Sequence, residues 1–249
     1  MLVPGFDFVR HLSTAMLLRS DLRSWLLPLL EAWQDNWAEY ETRALTAGRG
    51  GTRLVRAAGH EVVVRPYRRG GLVARLLHDT YIGRQPRPFR ELKTLDALRR
   101  RGAPVIEVYG AAVHWLLPGC YRGWLATRYR AGSRTLWEWF ADAPPSPLRA
   151  RVLTEVGYAA RRLHDLGGWH PDLNLNNILV ATGAASDAIE VTFIDFDMTG
   201  SAQHLPRTPH ADLARFERSA RKLDPAGMRL TAADLDAVRV AYAAGAPCA

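Results

Sequence analysis

Two short stretches carry residues of the kind that do chemistry. The first is His170-Pro-Asp172-Leu-Asn174-Leu-Asn-Asn177-Ile-Leu-Val180, where an aspartate is followed five residues later by an asparagine that runs straight into an apolar run. The second is Phe193-Ile-Asp195-Phe196-Asp197, where an aspartate follows another apolar run. The two runs, 178–180 and 191–194, bracket a small polar turn near Gly183, as the strands of a hairpin do. Such a hairpin brings Asp172, Asn177 and Asp195 to one edge, gathering two carboxylates and an amide oxygen. Phosphoryl transfer from a nucleotide needs that set: a carboxylate for the proton of the accepting hydroxyl, and hard oxygen ligands for Mg2+. Aspartate and asparagine also serve as plain turn formers beside strands, but two motifs in this order and spacing make that the poorer account.

The elements that must position these residues follow from periodicity. Leu22, Trp25, Leu26, Leu29, Leu30, Trp33 and Trp37 recur at helical spacing, with Pro28 as a kink or early-turn residue. Residues 40–46, 52–55 and 61–64 alternate as strands around the glycine turn at 48–51. The spacing of Phe89, Leu92, Leu95 and Leu98 predicts a helix over 88–101 that stops at Gly102. Strand-like pieces at 105–113, 114–117 and 124–129 come next, then a proline loop at 141–147 and a long amphipathic helix from about 148 to 166. Helical patterns at 211–223 and 232–244 finish the chain. Strands with one helix, then helices with one hairpin, argue an α+β protein in two lobes divided near 128–133. His164-Asp165 reads as a pair at a helix end, and Cys120 as a packed strand residue.

Composition narrows the classes. The chain has 249 residues, is 48% hydrophobic and 23% charged, and its 20 Gly and 15 Pro are ordinary, which argues against disorder and low-complexity arrays. Two cysteines, Cys120 and Cys248, make no disulfide framework and suit a reducing compartment. Residues 25–30 form the longest near-apolar stretch, interrupted by Pro28, whereas a membrane span needs roughly 20 residues. The N-terminus lacks a secretory pattern, so a cytosolic chain is expected. Residues 65–101 hold ten arginines and Lys93 against Asp79, Glu91 and Asp96, an excess equal to the +8 of the whole chain. A concentrated basic region calls for an anionic partner: nucleic acid, a phosphorylated sugar or an anionic membrane surface.

The order His-x-Asp-x-x-x-x-Asn, then Asp-Phe-x, resembles the catalytic and metal loops of the protein-kinase-like fold. More narrowly, the chain resembles the 3-deoxy-D-manno-octulosonic acid (Kdo) kinases of lipopolysaccharide synthesis. The resemblance rests on Gly48-Arg-Gly50-Gly51-Thr, Arg65-Pro-Tyr-Arg-Arg-Gly-Gly71-Leu, Cys120-Tyr121-Arg122, the Asp172-Leu-Asn174 run with Asn177-Ile-Leu, Ile194-Asp-Phe-Asp197, and Asp212-Leu-Ala-Arg-Phe-Glu-Arg-Ser219. It implies a bilobal protein-kinase-like fold with a helical extension at 1–39, a β-rich N-lobe at 40–130 and a mainly α-helical C-lobe at 131–249.

Carried over by position, the resemblance makes Asp172 the catalytic base or hydroxyl-orienting carboxylate, and Asn177 and Asp195 the Mg2+ ligands. It makes Gly48, Gly50 and Gly51 a phosphate-covering loop, and sets the backbone of Arg128, Tyr129 and Arg130, between the lobes, against the adenine of ATP. Arg65 stands where protein kinases have lysine, with Glu91 as its partner; a guanidinium fork can grip both phosphate and carboxylate. His170 is expected to brace the catalytic loop, with Asn174 and Asp197 as supporting or acceptor-side residues.

Pro171 precedes Asp172 where an arginine would read a phosphorylated activation segment. Asp197 replaces the usual glycine, and the 52 residues that follow are too few for protein-substrate docking helices. The implied reaction is therefore Mg2+-dependent transfer from ATP to a hydroxyl of Kdo, O4, on a lipid A precursor. The site would face the cytoplasmic side of the bacterial inner membrane. The aromatic stripe at 22–37 is either core of the first lobe or an interfacial helix at that surface. Other readings are a heptose, aminoglycoside or choline type kinase, or a non-catalytic basic binding protein. Nucleic acid is not expected, because few aromatics interleave the arginines and no familiar motif is present.

Overall fold

The computed structural model describes residues 3–33, 37–45, 51–68, 79–170, 172–183, 188–197 and 208–245. The chain divides into two compact units, residues 1–96 with 107–129, and residues 97–106 with 130–249.

The first unit is built on one antiparallel sheet. Its strands are β1 (Phe6–His11), β2 (Thr14–Arg19), β3 (Glu41–Ala44), β4 (Arg53–Ala57), β5 (His60–Pro66), β6 (Tyr81–Ile82), β7 (Val108–Leu117) and β8 (Cys120–Arg128). They run in the order β1-β2-β7-β8-β5-β4-β3, with β6 also paired to β8. The pieces expected at 105–113 and 114–117 are one strand, β7, which carries bulges near both ends of its pairing with β8.

The helical extension expected over 1–39 is not what forms. Residues 6–19 fold as a hairpin, and β2 pairs with β7 from Thr14↔His114 to Leu18↔Gly110. In β2 the residues Ala15, Met16, Leu17 and Leu18 are all buried, as suits an inner strand covered on both faces. Among the described residues there, helix is limited to the 3-10 turn Ser20–Leu22 and α1 (Arg23–Glu31). Its Leu26, Leu29 and Leu30 are buried with Trp37, Val55, Val62 and Trp124 in the core of this unit. Trp33 lies 4.3 Å from Trp124 between ring centroids, and the Trp37 indole N–H donates to the Leu29 carbonyl at 2.8 Å. The aromatic stripe is core, and the interfacial-helix alternative is set aside. α2 (Arg87–Arg100) buries Phe89, Leu92, Leu95 and Leu98, and its last turn belongs to the second unit.

The second unit is mainly helical: α3 (Leu136–Ala141), α4 (Ser146–Asp165), α5 (Pro209–Leu223) and α6 (Ala232–Ala244), with a small sheet of β9 (Arg134–Thr135), β10 (Ile178–Thr182) and β11 (Ile189–Phe193) in the order β11-β10-β9. Local signals start and stop these helices. Thr135 with Glu138 forms a capping box on α3, Thr231 with Asp234 forms one on α6, and Thr208 caps α5 ahead of Pro209. At the end of α4, Gly168 N–H bonds to the Leu163 carbonyl and Gly167 N–H to that of His164, the paired closure of a Schellman motif.

Arg149 of α4 braces α6 through Asp234, at 2.9 and 2.6 Å. Burial pushes the Asp234 carboxyl up, but Arg149, the Thr231 hydroxyl and the Thr231 N–H together outweigh this and hold it down at about 2.

α4 and α6 meet so closely at Gly157 that a β-carbon there would lie 2.6 Å from both Ala241 Cβ and the Val238 carbonyl oxygen. Alanine normally gains about 1 kcal/mol over glycine inside a helix; here the overlap decides the sign. Gly157→Ala is expected to cost about 2 kcal/mol and to lower the thermal midpoint by roughly 4–8 °C, measured by calorimetry. A raised midpoint would show that the helices do not pack as described.

Candidate active site

The second unit assembles its polar cluster at one end of the β10–β11 hairpin. Ile178 pairs with Phe193, so Asn177 and Ile194 sit opposite each other just outside the ladder, where Ile194 N–H bonds to the Asn177 carbonyl at 3.0 Å. Asp195 follows directly, with φ at +65°, a left-handed conformation that aspartate tolerates better than most residues. Asn177 closes the 3-10 turn Leu175–Asn177, which is capped by the Asn174 side chain accepting from Asn176 N–H at 2.9 Å.

Asp172 is tied to the same turn from several sides. Its carbonyl accepts from Asn177 Nδ2 at 2.9 Å, and its carboxylate accepts from Asn174 Nδ2 at 3.0 Å. The carboxylate is otherwise open, 60% exposed, with Arg215 Nη1 at 3.5 Å. His170 is fully buried, and both ring nitrogens are engaged by backbone: Nδ1 accepts from Asp172 N–H at 3.1 Å and Nε2 meets the Ile194 carbonyl at 2.9 Å. The imidazole therefore links the loop that carries Asp172 to the residue before Asp195. Desolvation lowers its pKa, against a smaller upward pull from the Ile194 carbonyl.

Two residues of this cluster gain a place in the site only from the fold. Asp212 of α5 is buried, and its Oδ2 accepts from His170 N–H at 2.9 Å and lies 3.0 Å from His164 Nε2. His164 is thus not paired with its neighbour Asp165, as expected; its Nδ1 lies 2.9 Å from the Tyr242 hydroxyl, while Asp165 takes Arg161. Arg215 stands one turn along α5 from Asp212, on the same helix face. Both lie in the 212–219 segment that the resemblance rests on, which gave neither of them a role.

The first unit holds a second prearranged group. Arg65 of β5 bonds through Nη2 to both carboxylate oxygens of Glu91 on α2 at 2.7 Å, and the Tyr67 hydroxyl also donates to Glu91. Glu91 is 3% exposed, and the Arg65 guanidinium lies 4.9 Å from the centre of the Tyr67 ring.

Gly51 has φ at +96°, and a β-carbon there would meet the Arg68 guanidinium at 2.7 Å; Gly48 and Gly50 lie outside the described residues, as does Pro171. Arg128 N–H donates to the Glu107 carbonyl at 2.9 Å and its guanidinium to the Glu107 carboxylate at 3.2 Å. Tyr129 N–H donates to the Glu61 carbonyl at 3.3 Å, and Arg130 pairs with Glu190. Asp197 is half-buried beside Phe196, whose ring lies 4.5 Å from that of His170 between centroids.

The donor chemistry at the hairpin end suits a hard cation. Asn177 commits its amide N–H to Asp172, which leaves the amide oxygen as its other polar atom, and Asp195 adds a carboxylate. Oxygen ligands from few protein groups are what Mg2+ takes when substrate phosphates complete its shell.

The fold is of the protein-kinase-like class. The solved structure of WaaP in complex with acyl carrier protein superposes with a TM-score of 0.58 at 20% identity, over 93% of this chain and 89% of that one. The model of the lipopolysaccharide kinase (Kdo/WaaP) family matches residues 32–242, and the chain belongs to that family, which makes it a phosphotransferase. The 3-deoxy-D-manno-octulosonic acid kinase of Vibrio cholerae serotype O1 is 31% identical over 172 residues, 67% of each chain. That of Xanthomonas campestris pv. campestris is 31% identical over 191 residues, 75% of this chain and 72% of its own.

The environments of Glu91 and His170 generate two expectations. Arg65→Ala removes the counter-charge of a buried carboxylate and should cost about 3–5 kcal/mol of stability; adding Glu91→Gln should restore part of that loss in denaturant melts. A double variant less stable than Arg65→Ala alone would contradict the pairing. The depressed His170 pKa means that the unfolded chain takes up a proton near 6.5 while the folded one does not. Stability from this residue is therefore full above that pH and falls below it, by up to about 1.4 kcal/mol per pH unit. Urea melts between pH 7.5 and 5.5 should show a shallower decline in His170→Asn than in the parent; equal slopes would exclude the effect.

Proposed function

We propose that the protein transfers the γ-phosphoryl group of ATP to a hydroxyl of Kdo, O4, on a lipid A precursor. The observation that carries this is the hairpin end, where one asparagine ties the backbone of Asp172 to the strand that delivers Asp195. Asp172 receives the acceptor hydroxyl: its carboxylate is open to solvent, while its backbone is fixed by Asn177 and His170. It orients that hydroxyl toward the γ-phosphorus and takes its proton as the new oxygen–phosphorus bond forms, while the bond from that phosphorus to the bridging oxygen breaks and ADP leaves. Asn177 and Asp195 would hold Mg2+, which when bound neutralises charge on the phosphates.

In the first unit, Glu91 and Tyr67 hold the Arg65 guanidinium in place, so that it would meet the nucleotide phosphates at little ordering cost. Gly51, whose backbone is left-handed, would belong to the phosphate-covering loop. Because the Arg128 and Tyr129 N–H groups already donate to carbonyls, adenine would be read by backbone carbonyl oxygens along 128–130.

A lipid-linked acceptor places the enzyme at an anionic membrane surface on the cytoplasmic side. Among the described residues no helix is long and apolar enough to cross a membrane. Support for surface docking comes from one end of the first unit's sheet. There the β1–β2 turn, the tip of β7 and the edge of β6 expose Leu12 (83%), Leu117 (67%) and Ile82 (72%), beside exposed Arg10 and Arg84. Aliphatic tips among arginines suit an interface of acyl chains and anionic headgroups.

The test is turnover of Kdo-lipid A with MgATP, read by the mass and fragmentation of the product. One added phosphate on Kdo O4 is expected, and Asp172→Asn should lower kcat about 10^2- to 10^4-fold with little change in KM for ATP. Phosphorylation of a heptose, aminoglycoside or choline in preference to Kdo would replace the acceptor assignment. An Asp172→Asn enzyme of unchanged rate would remove Asp172 from the reaction.

A further inference from the structure

Arg215 stands beside the carboxylate that receives the acceptor, yet that carboxylate does not need it for orientation. Asp172 is already held by the Asn174 amide at its side chain and by Asn177 and His170 at its backbone. Arg215 Nη1 approaches Asp172 Oδ1 to 3.5 Å, at the edge of hydrogen-bonding range, so the two are adjacent without being locked together.

The guanidinium is nevertheless well placed. Its helix, α5, is anchored one turn earlier by buried Asp212, which bonds to the His170 backbone and to His164. The other carboxylate of α5, Glu217, is taken by Arg239 and Arg221. Among the described residues Arg215 has no partner besides Asp172, and its side chain, 22% exposed, still reaches solvent. A fork of donors is therefore presented beside the point where the acceptor hydroxyl must sit.

A guanidinium in that position suits a planar anion on the acceptor. Kdo is a sugar acid: its carboxylate and its hydroxyls share one ring, so a molecule with one hydroxyl at Asp172 carries its carboxylate within a ring's width. We infer that Arg215 binds the acceptor's carboxylate and so selects a sugar acid over a neutral sugar. This inference rests on the Kdo acceptor proposed above.

The experiment compares Kdo-lipid A with the same acceptor whose Kdo carboxylate is a methyl ester, for the parent enzyme, Arg215→Gln and Arg215→Lys, at saturating MgATP. The parent should favour the carboxylate by about 10- to 100-fold in kcat/KM, the range for a hydrogen bond to a charged group. Arg215→Gln should lose that preference through a raised KM for the carboxylate acceptor, with the ester and the KM for ATP unchanged. Arg215→Lys, which keeps the charge and guards against a folding defect, should keep part of it.

Equal losses on both acceptors, or a raised KM for ATP, would assign the cation to Asp172 or to the phosphoryl group and overturn the inference while the Kdo reading stands. A parent enzyme that turns over neither Kdo acceptor but phosphorylates a neutral sugar would remove both.

Discussion

Asn177 is the residue on which the second unit's site depends. Its side chain donates to the Asp172 carbonyl and its own carbonyl accepts from Ile194 N–H. One residue thus fixes a loop that arrives from α4 and a loop that leaves β11. Because strand side chains alternate with a period of two, a slip of one residue in the β10–β11 register would move Asp195 away from Asn177 and turn the hairpin's apolar face outward. Burial of Ile178, Val180, Val191 and Phe193 therefore sets the polar geometry at the hairpin's end. His170 adds a second tie across the same gap, and Asp212 holds that tie from outside.

The first unit solves a similar problem with charge. Glu91 is buried, and a buried carboxylate is costly unless it is paired and hydrogen-bonded. Arg65 and Tyr67 satisfy it, and in return the guanidinium is confined to one orientation. Such an arrangement adds little to net stability, but it makes the position of a cation definite before any ligand arrives. Lysine can meet a carboxylate and a phosphate as well, but as a compact charge on a flexible stem it lacks the planar fork that fixes the donors' directions.

Much of this was legible in the sequence. The hairpin followed from two apolar runs around a polar turn, and the long helices from spacing and glycine stops; all formed within a few residues of their expected limits. The β1–β2 hairpin was not legible, because Ala15-Met-Leu-Leu18 is buried on both faces and so shows no alternation. Six-residue α3 is too short to display a period. Within the site, the roles of Asp172, Asn177, Asp195, Arg65 and Glu91 were marked by motif, whereas Asp212 lay in a recognised segment without a role and reaches His164 and His170 across more than forty residues of chain. Spacing cannot reveal a contact of that range, which is why His164 was matched to its neighbour instead.

The Arg149–Asp234 brace has a bearing on how the second unit meets acid. A carboxyl held at about 2 stays ionised well below the pH near 6.5 at which an ordinary histidine takes up a proton. The helical scaffold of α4 and α6 keeps its clasp while the buried imidazole under the hairpin comes under strain. A falling pH therefore bears on the loop around His170 before it reaches the clasp between its supporting helices.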